Sequence, residues 1–191
     1  MPGTGCAVLG SAMISEPELH HRMKILIVDD DRMTVTLLEQ LLQRHGYSHV
    51  VGITDSRAAF ETCTNFDPDL ILLDLIMPEV DGFAVLETLR ADVSERFLPI
   101  VVLTGDTTEE AKAHALEAGA TDFLVKPVSQ TEALLRIRNL LEARRLNVLL
   151  RNQRAALEDA VRERTAELRQ KIAELEATTP PHSESSAALA V

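Results

Sequence analysis

The sequence predicts a doubly wound α/β fold with a parallel sheet, and three observations carry that expectation. Five short apolar runs alternate with amphipathic segments of helical period in about 120 residues from Lys24. The residue ending each of four runs is polar and chemically capable, as expected where strands deliver side chains to one carboxyl edge. The chain has 191 residues and is 46% apolar, enough for one real core with additional segments.

Taken in order, KILIV (24–28) is the first strand. MTVTLLEQLLQRHG (33–46) is a helix with Leu37, Leu38, Leu41 and Leu42 on one face, Asp31 as its N-cap and Gly46 closing its end. HVVGIT (49–54) is the second strand, and SRAAFETCTNF (56–66) a short helix capped by Ser56. DLILL (69–73) is the third strand, with LILL buried on both faces, and FAVLETLRAD (83–92) the next helix. PIVVLT (99–104), TEEAKAHALEAGA (108–120) and DFLV (122–125) supply a strand, a helix and the fifth strand. This is the size of a flavodoxin-like domain.

A last helix begins near Ser129 and continues without Gly or Pro to Thr178, about 48 residues or roughly 70 Å if unbroken. That is too long to pack on one small domain. Leu146, Leu150, Leu157, Val161, Leu168, Ile172 and Leu175 form an apolar seam with mixed spacing, while Arg164 and Lys171 stand where a strict heptad wants apolar groups. The segment 146–178 reads as a short, imperfect coiled coil pairing in a homodimer or with a partner protein; a charged helical linker is the competing reading. Residues 1–22 and 179–191 show neither period and are expected to be a disordered leader and tail around a domain at 23–145.

A net charge of −11 argues against a phosphate-gripping surface, so protein or a cation is the expected partner and direct nucleic-acid binding is not. Cys6 and Cys63 lack metal-ligand spacing, and Cys63 reads as a buried small apolar side chain. No apolar run spans a membrane or follows a basic signal region, which points to a soluble, cytoplasmic chain. His20 and His21 belong to the leader; His45, His49 and His114 are expected to be structural.

The chemistry converges on the strand ends. Asp29, Asp30 and Asp31 follow the first strand, Asp74 the third, Thr104 ends the fourth, and Lys126 and Pro127 follow the fifth. Carboxylates crowded at one edge either share protons or bind a cation, and a hard divalent ion such as Mg²⁺ suits oxygen ligands near a phosphoryl group. Beside such an ion, with Lys126 and the Thr104 hydroxyl at hand, Asp74 is a carboxylate nucleophile. PEVDG then turns the chain so that this carboxylate stays accessible.

The ordered motifs ILIVDDD, LLDLIMPEVDG, VVLTGD and FLVKP resemble the receiver domain of two-component response regulators, from Lys24 to about Arg144. The resemblance implies a sheet ordered 2-1-3-4-5 and a phosphoacceptor at Asp74. It implies Mg²⁺ held by Asp29, Asp30, Asp74 and the backbone carbonyl of Ile76, a switch formed by Thr104 and Phe123, and a cis turn at Pro127. An ordinary trans Pro127 and a plain core Phe123 stay open beside it. Phosphate would come from a sensor histidine kinase or phosphotransfer protein, and the chain would be no enzyme beyond self-phosphorylation and autodephosphorylation. The latter is expected to be slow, because apolar Ile76 cannot orient a water; Asp106 occupies the other influencing position.

Other readings are a non-switching scaffold and a haloacid dehalogenase type of aspartyl phosphatase, whose Asp-x-Asp-x-Thr/Val motif fails at Met33. The helix from Arg138 onward also resembles the linker of larger cyclic-di-GMP phosphodiesterase regulators, which makes a truncated relative another reading.

Overall fold

In a computed structural model of the chain, residues 21–78, 81–92, 97–106 and 108–178 are described. The expected tail, the leader up to His20 and Cys6 lie outside them.

Strands β1 (Lys24–Val28), β2 (His49–Ile53), β3 (Leu70–Asp74), β4 (Ile100–Thr104) and β5 (Asp122–Val125) form one parallel sheet ordered β2-β1-β3-β4-β5. The helices are α1 (Arg32–Arg44), α2 (Ala59–Phe66), α3 (Gly82–Asp92), α4 (Glu109–Glu117) and α5 (Gln130–Thr178). Successive strand residues point to opposite faces, so the sheet separates two cores. Leu26, Val28, Ile71, Leu73, Ile100 and Val102 pack with Cys63 of α2, Leu86 and Leu89 of α3 and Ala115 of α4. On the other face Ile25, Ile27, Leu70, Leu72, Val101 and Leu103 meet Leu38 and Leu42 of α1 and Ala133, Ile137 and Leu141 of α5. β3 and β4 are buried throughout, as central strands covered on both faces must be.

Three local expectations change. Leu37 is 59% exposed, and the buried stripe of α1 is Val35, Leu38, Leu41 and Leu42, because Leu37 lies about a third of a turn outside that repeat. Ser56 is buried and does not cap: Asp55 accepts from the Arg57 amide at a single 3₁₀ turn, Ser56–Ala58, that precedes α2. The third strand includes Asp74 as its last residue.

Other caps match their residues. The Asp31 carboxylate accepts from the amides of Met33 and Thr34, and Gly46, with φ 90°, lets the Tyr47 amide return to the Leu42 carbonyl. Two cations are structural in a way the sequence did not announce. Arg90 donates to the carbonyls of Gly119 and Leu98 and to the Thr121 hydroxyl; Arg144, buried, donates to the Phe97 carbonyl near Asp69.

The chain divides into two compact units, Met1–Leu146 and Asn147–Val191. In the second, every side chain from Arg151 to Leu175 is exposed. Among the described residues no helix is long and apolar enough to cross a membrane.

Candidate functional site

Parallel register brings the strand ends together. Val28 pairs with Leu73, Asp74 with Leu103 and Thr104 with Val125, so the residues just after these pairs share the carboxyl edge. Ligand oxygens of Asp29, Asp30 and Asp74 lie within 4.8 Å of one another. Asp29 is fully buried, Asp74 nearly so, and Asp30 is exposed.

Lys126 reaches this cluster across 52 residues of sequence. Its Nζ lies 2.8 Å from Asp74 Oδ2 and 2.7 Å from Asp29 Oδ2. The contact to Asp74 is a hydrogen bond; Asp29 Oδ2 meets the ammonium as an ion pair without a well-directed hydrogen bond. The Lys126 amide donates to the Thr104 carbonyl, which holds the loop after β5 against β4; the Lys126–Pro127 peptide is cis.

Burial pushes the Asp29 carboxyl above its ordinary range, and Lys126 with the Asp31 amide offsets only part of this. Burial also opposes the charge on Lys126, but the carboxylates of Asp29 and Asp74 outweigh it and hold the ammonium above its ordinary value. Asp31 is held low by the Thr34 hydroxyl and the Met33 amide, its role as helix cap.

Asp74 is less accessible than the sequence suggested: its side chain is 4% exposed, with Lys126 on Oδ2 and the Ile76 amide donating to Oδ1 at 3.2 Å. Gly82 lies under the same loop. A Cβ there would overlap the Leu75 Cα and the Asp74 carbonyl oxygen, so this glycine is required by close approach, a role beyond the turn its sequence position suggested. At Gly105 a Cβ would meet open space.

Thr104 is buried, and its hydroxyl is engaged with the Asp106 backbone, accepting from the amide at 3.0 Å. Phe123 is half-buried against the core, with the Lys112 ammonium and Arg136 guanidinium 5.4 and 5.7 Å from its ring centroid. Arg136 is held by Asp122 and Glu132.

The donor set fits a hard divalent cation. It is made only of carboxylate oxygens, and the buried Asp29 Oδ2 has coordinating capacity left beyond its ion pair.

Residues 25–138 match the family model of the response regulator receiver domain. The chain is 39% identical over 118 residues to the alkaline phosphatase synthesis transcriptional regulatory protein PhoP of Bacillus subtilis, covering 62% of this chain and 48% of that one. It is 32% identical over 144 residues to a probable cyclic di-GMP phosphodiesterase of Vibrio cholerae, covering 75% of this chain and 32% of the relative. The chain therefore spans about half or less of the length of these relatives. The solved structure of the Vibrio cholerae chemotaxis protein CheY4 superposes with a TM-score of 0.58 at 31% identity, covering 62% of this chain and 98% of that one.

Proposed function

The chain belongs to the response regulator receiver domain family, and from that premise we propose that it is a phosphorelay regulator whose phosphoacceptor is Asp74. The observation that carries this is the placement of the Asp74 carboxylate between a lysine ammonium and two further aspartates at one sheet edge. In the transfer, an oxygen of Asp74 attacks the phosphorus of a phosphohistidine on a sensor kinase or phosphotransfer protein. The bond from phosphorus to the histidine nitrogen breaks, and that nitrogen leaves with the electron pair.

Asp29, Asp30, Asp74 and the Ile76 carbonyl would hold Mg²⁺, which when bound supplies positive charge to the phosphoryl oxygens. Lys126 exchanges part of its pairing with Asp74 for a phosphoryl oxygen. Thr104 gives up its Asp106 contacts to donate to another, and Phe123 follows it inward, a two-state element biased by the modification. Exposed, apolar Ile76 offers no group to orient an attacking water, which supports slow autodephosphorylation.

The domain carrying this chemistry occupies residues 23–145, and the output passes through 146–178, where the apolar seam pairs with another helix. The acidic net charge supports protein rather than nucleic acid as the target, in the cytoplasm. A match to the cyclic di-GMP phosphodiesterase relative longer than the family match favours the second reading, kinship with such larger regulators.

The test is labelling by acetyl phosphate with Mg²⁺. The native chain is expected to take up one phosphoryl group and Asp74→Asn none; persistent labelling of the variant moves the acceptor elsewhere. Steady turnover of p-nitrophenyl phosphate would instead make the chain a phosphatase.

A further inference from the structure

The exposed stripe on α5 includes Leu157 at 66%, Leu168 at 49% and Ile172 at 54% exposure. Helices of globular proteins are stabilised chiefly by packing an apolar face, and among the described residues of its own unit this face packs on nothing. Its spacing and its margins indicate what covers it. Leu146, Leu157 and Leu168 recur every eleven residues, and Leu150, Val161 and Ile172 recur at the same interval four positions later. Neither series contains a charge. A seven-residue frame through Leu150 and Leu157 puts both Arg164 and Lys171 where a heptad needs apolar groups, whereas the eleven-residue frame leaves only Arg164 at the seam. An eleven-residue repeat gives about 3.67 residues per turn, so its seam drifts slowly and right-handedly along the helix.

The two margins of this seam carry opposite charge. Beyond Leu150, Val161 and Ile172 lie Arg151, Arg154, Arg162 and Arg169, with Glu158 among them. The other margin carries Glu163, Glu167 and Glu174 with Lys171. In a parallel pair the first margin of one helix faces the second margin of its neighbour, whereas in an antiparallel pair each margin faces its own kind. Only the parallel arrangement sets basic against acidic. Arg164, at the seam itself, is already paired with Glu167 of its own chain.

We infer that the stripe is covered by a second copy of this chain, forming a parallel, in-register two-stranded coil of eleven-residue repeat over residues 146–175. This rests on the reading above that 146–178 pairs with another helix, and adds the partner, the direction and the period.

The test uses the full chain with Cys6→Ser, so that Cys63, which is buried, is the only native thiol. Leu150→Cys and Ile172→Cys are introduced singly and oxidised with copper phenanthroline. Both are expected to link as homodimers. An antiparallel pair can link to itself at only one level, so linking of one variant without the other overturns the parallel direction while helix pairing stands. Lys171→Cys is expected to link more slowly than Ile172→Cys; faster linking assigns a heptad and overturns the eleven-residue repeat. Sedimentation equilibrium is expected to show a dimer that Leu157→Arg converts to monomer with the receiver's thermal transition intact. A native chain that stays monomeric overturns both the inference and the helix pairing it rests on, leaving Asp74 labelling as a separate question.

Discussion

Helix α1 and the distal part of α5 both carry leucines at helical spacing and are opposite in fate. Leu38 and Leu42 of α1 are buried against the sheet, while Leu157 and Leu168 of α5 are as apolar and stand in solvent. The stripe of α1 is complementary to Ile27, Leu72 and Leu103 in the same chain, so folding satisfies it within one molecule. Among the described residues of its own unit the stripe of α5 meets no such surface, and on the proposed pairing its stability would depend on association and hence on concentration. One chain thus holds a region whose apolar face is satisfied internally and a region whose apolar face is exposed.

Truncating one leucine in each region tests this contrast most strongly. Leu72→Ala, in the fully buried third strand, is expected to cost about 4 kcal/mol in urea unfolding of the receiver. Leu157→Ala is expected to change that transition by less than about 0.5 kcal/mol and to weaken dimerisation instead. Equal losses of receiver stability would break the contrast.

Next in size is the site itself, where stability and chemistry meet in one side chain. Lys126→Ala leaves the Asp29 and Asp74 carboxylates facing each other without their shared cation and is expected to destabilise the receiver by about 2 kcal/mol. It is also expected to slow labelling by acetyl phosphate by about 10²-fold, the order associated with removing one preorganised charge-stabilising donor. Unchanged labelling would remove Lys126 from the phosphoryl site, and the coil's dimer should persist throughout.

The smallest effect sits at Asp55, whose carboxyl Arg57 holds below its ordinary value near 3.8, through its side chain and then its amide. Because the folded value is lowered, the unfolded chain takes up the proton first as acid is added. The contribution is complete above the ordinary value and disappears as pH falls through the folded one. Asp55→Asn is expected to lower the melting temperature slightly at neutral pH and to lose that effect in acid, once the carboxyl is protonated in the folded chain as well. A drop independent of pH would show that the Arg57 cap does not depend on charge.

Much of the receiver was legible because its signals are local. The runs at 24–28 and 122–125 became strands over the same residues, and Asp31 and Gly46 act as the helix boundaries their chemistry suggests. What failed failed at one-residue resolution. Leu37 and Val35 are both apolar, and only the position of the sheet decides which is covered. Asp55 and Ser56 are both good caps, and an intervening 3₁₀ turn hands the role to Asp55.

By itself the sequence determined the order of elements, the acids at the strand ends and the long uninterrupted helix, because period and capping chemistry act between near neighbours. Only the tertiary structure decided that Lys126 spans Asp29 and Asp74, that Asp74 is nearly sealed, that Gly82 must lack a side chain, and that Arg90 and Arg144 are buried clamps. Each of those depends on segments distant in the chain meeting at a few ångströms, where sheet register and close packing act and local period carries no information.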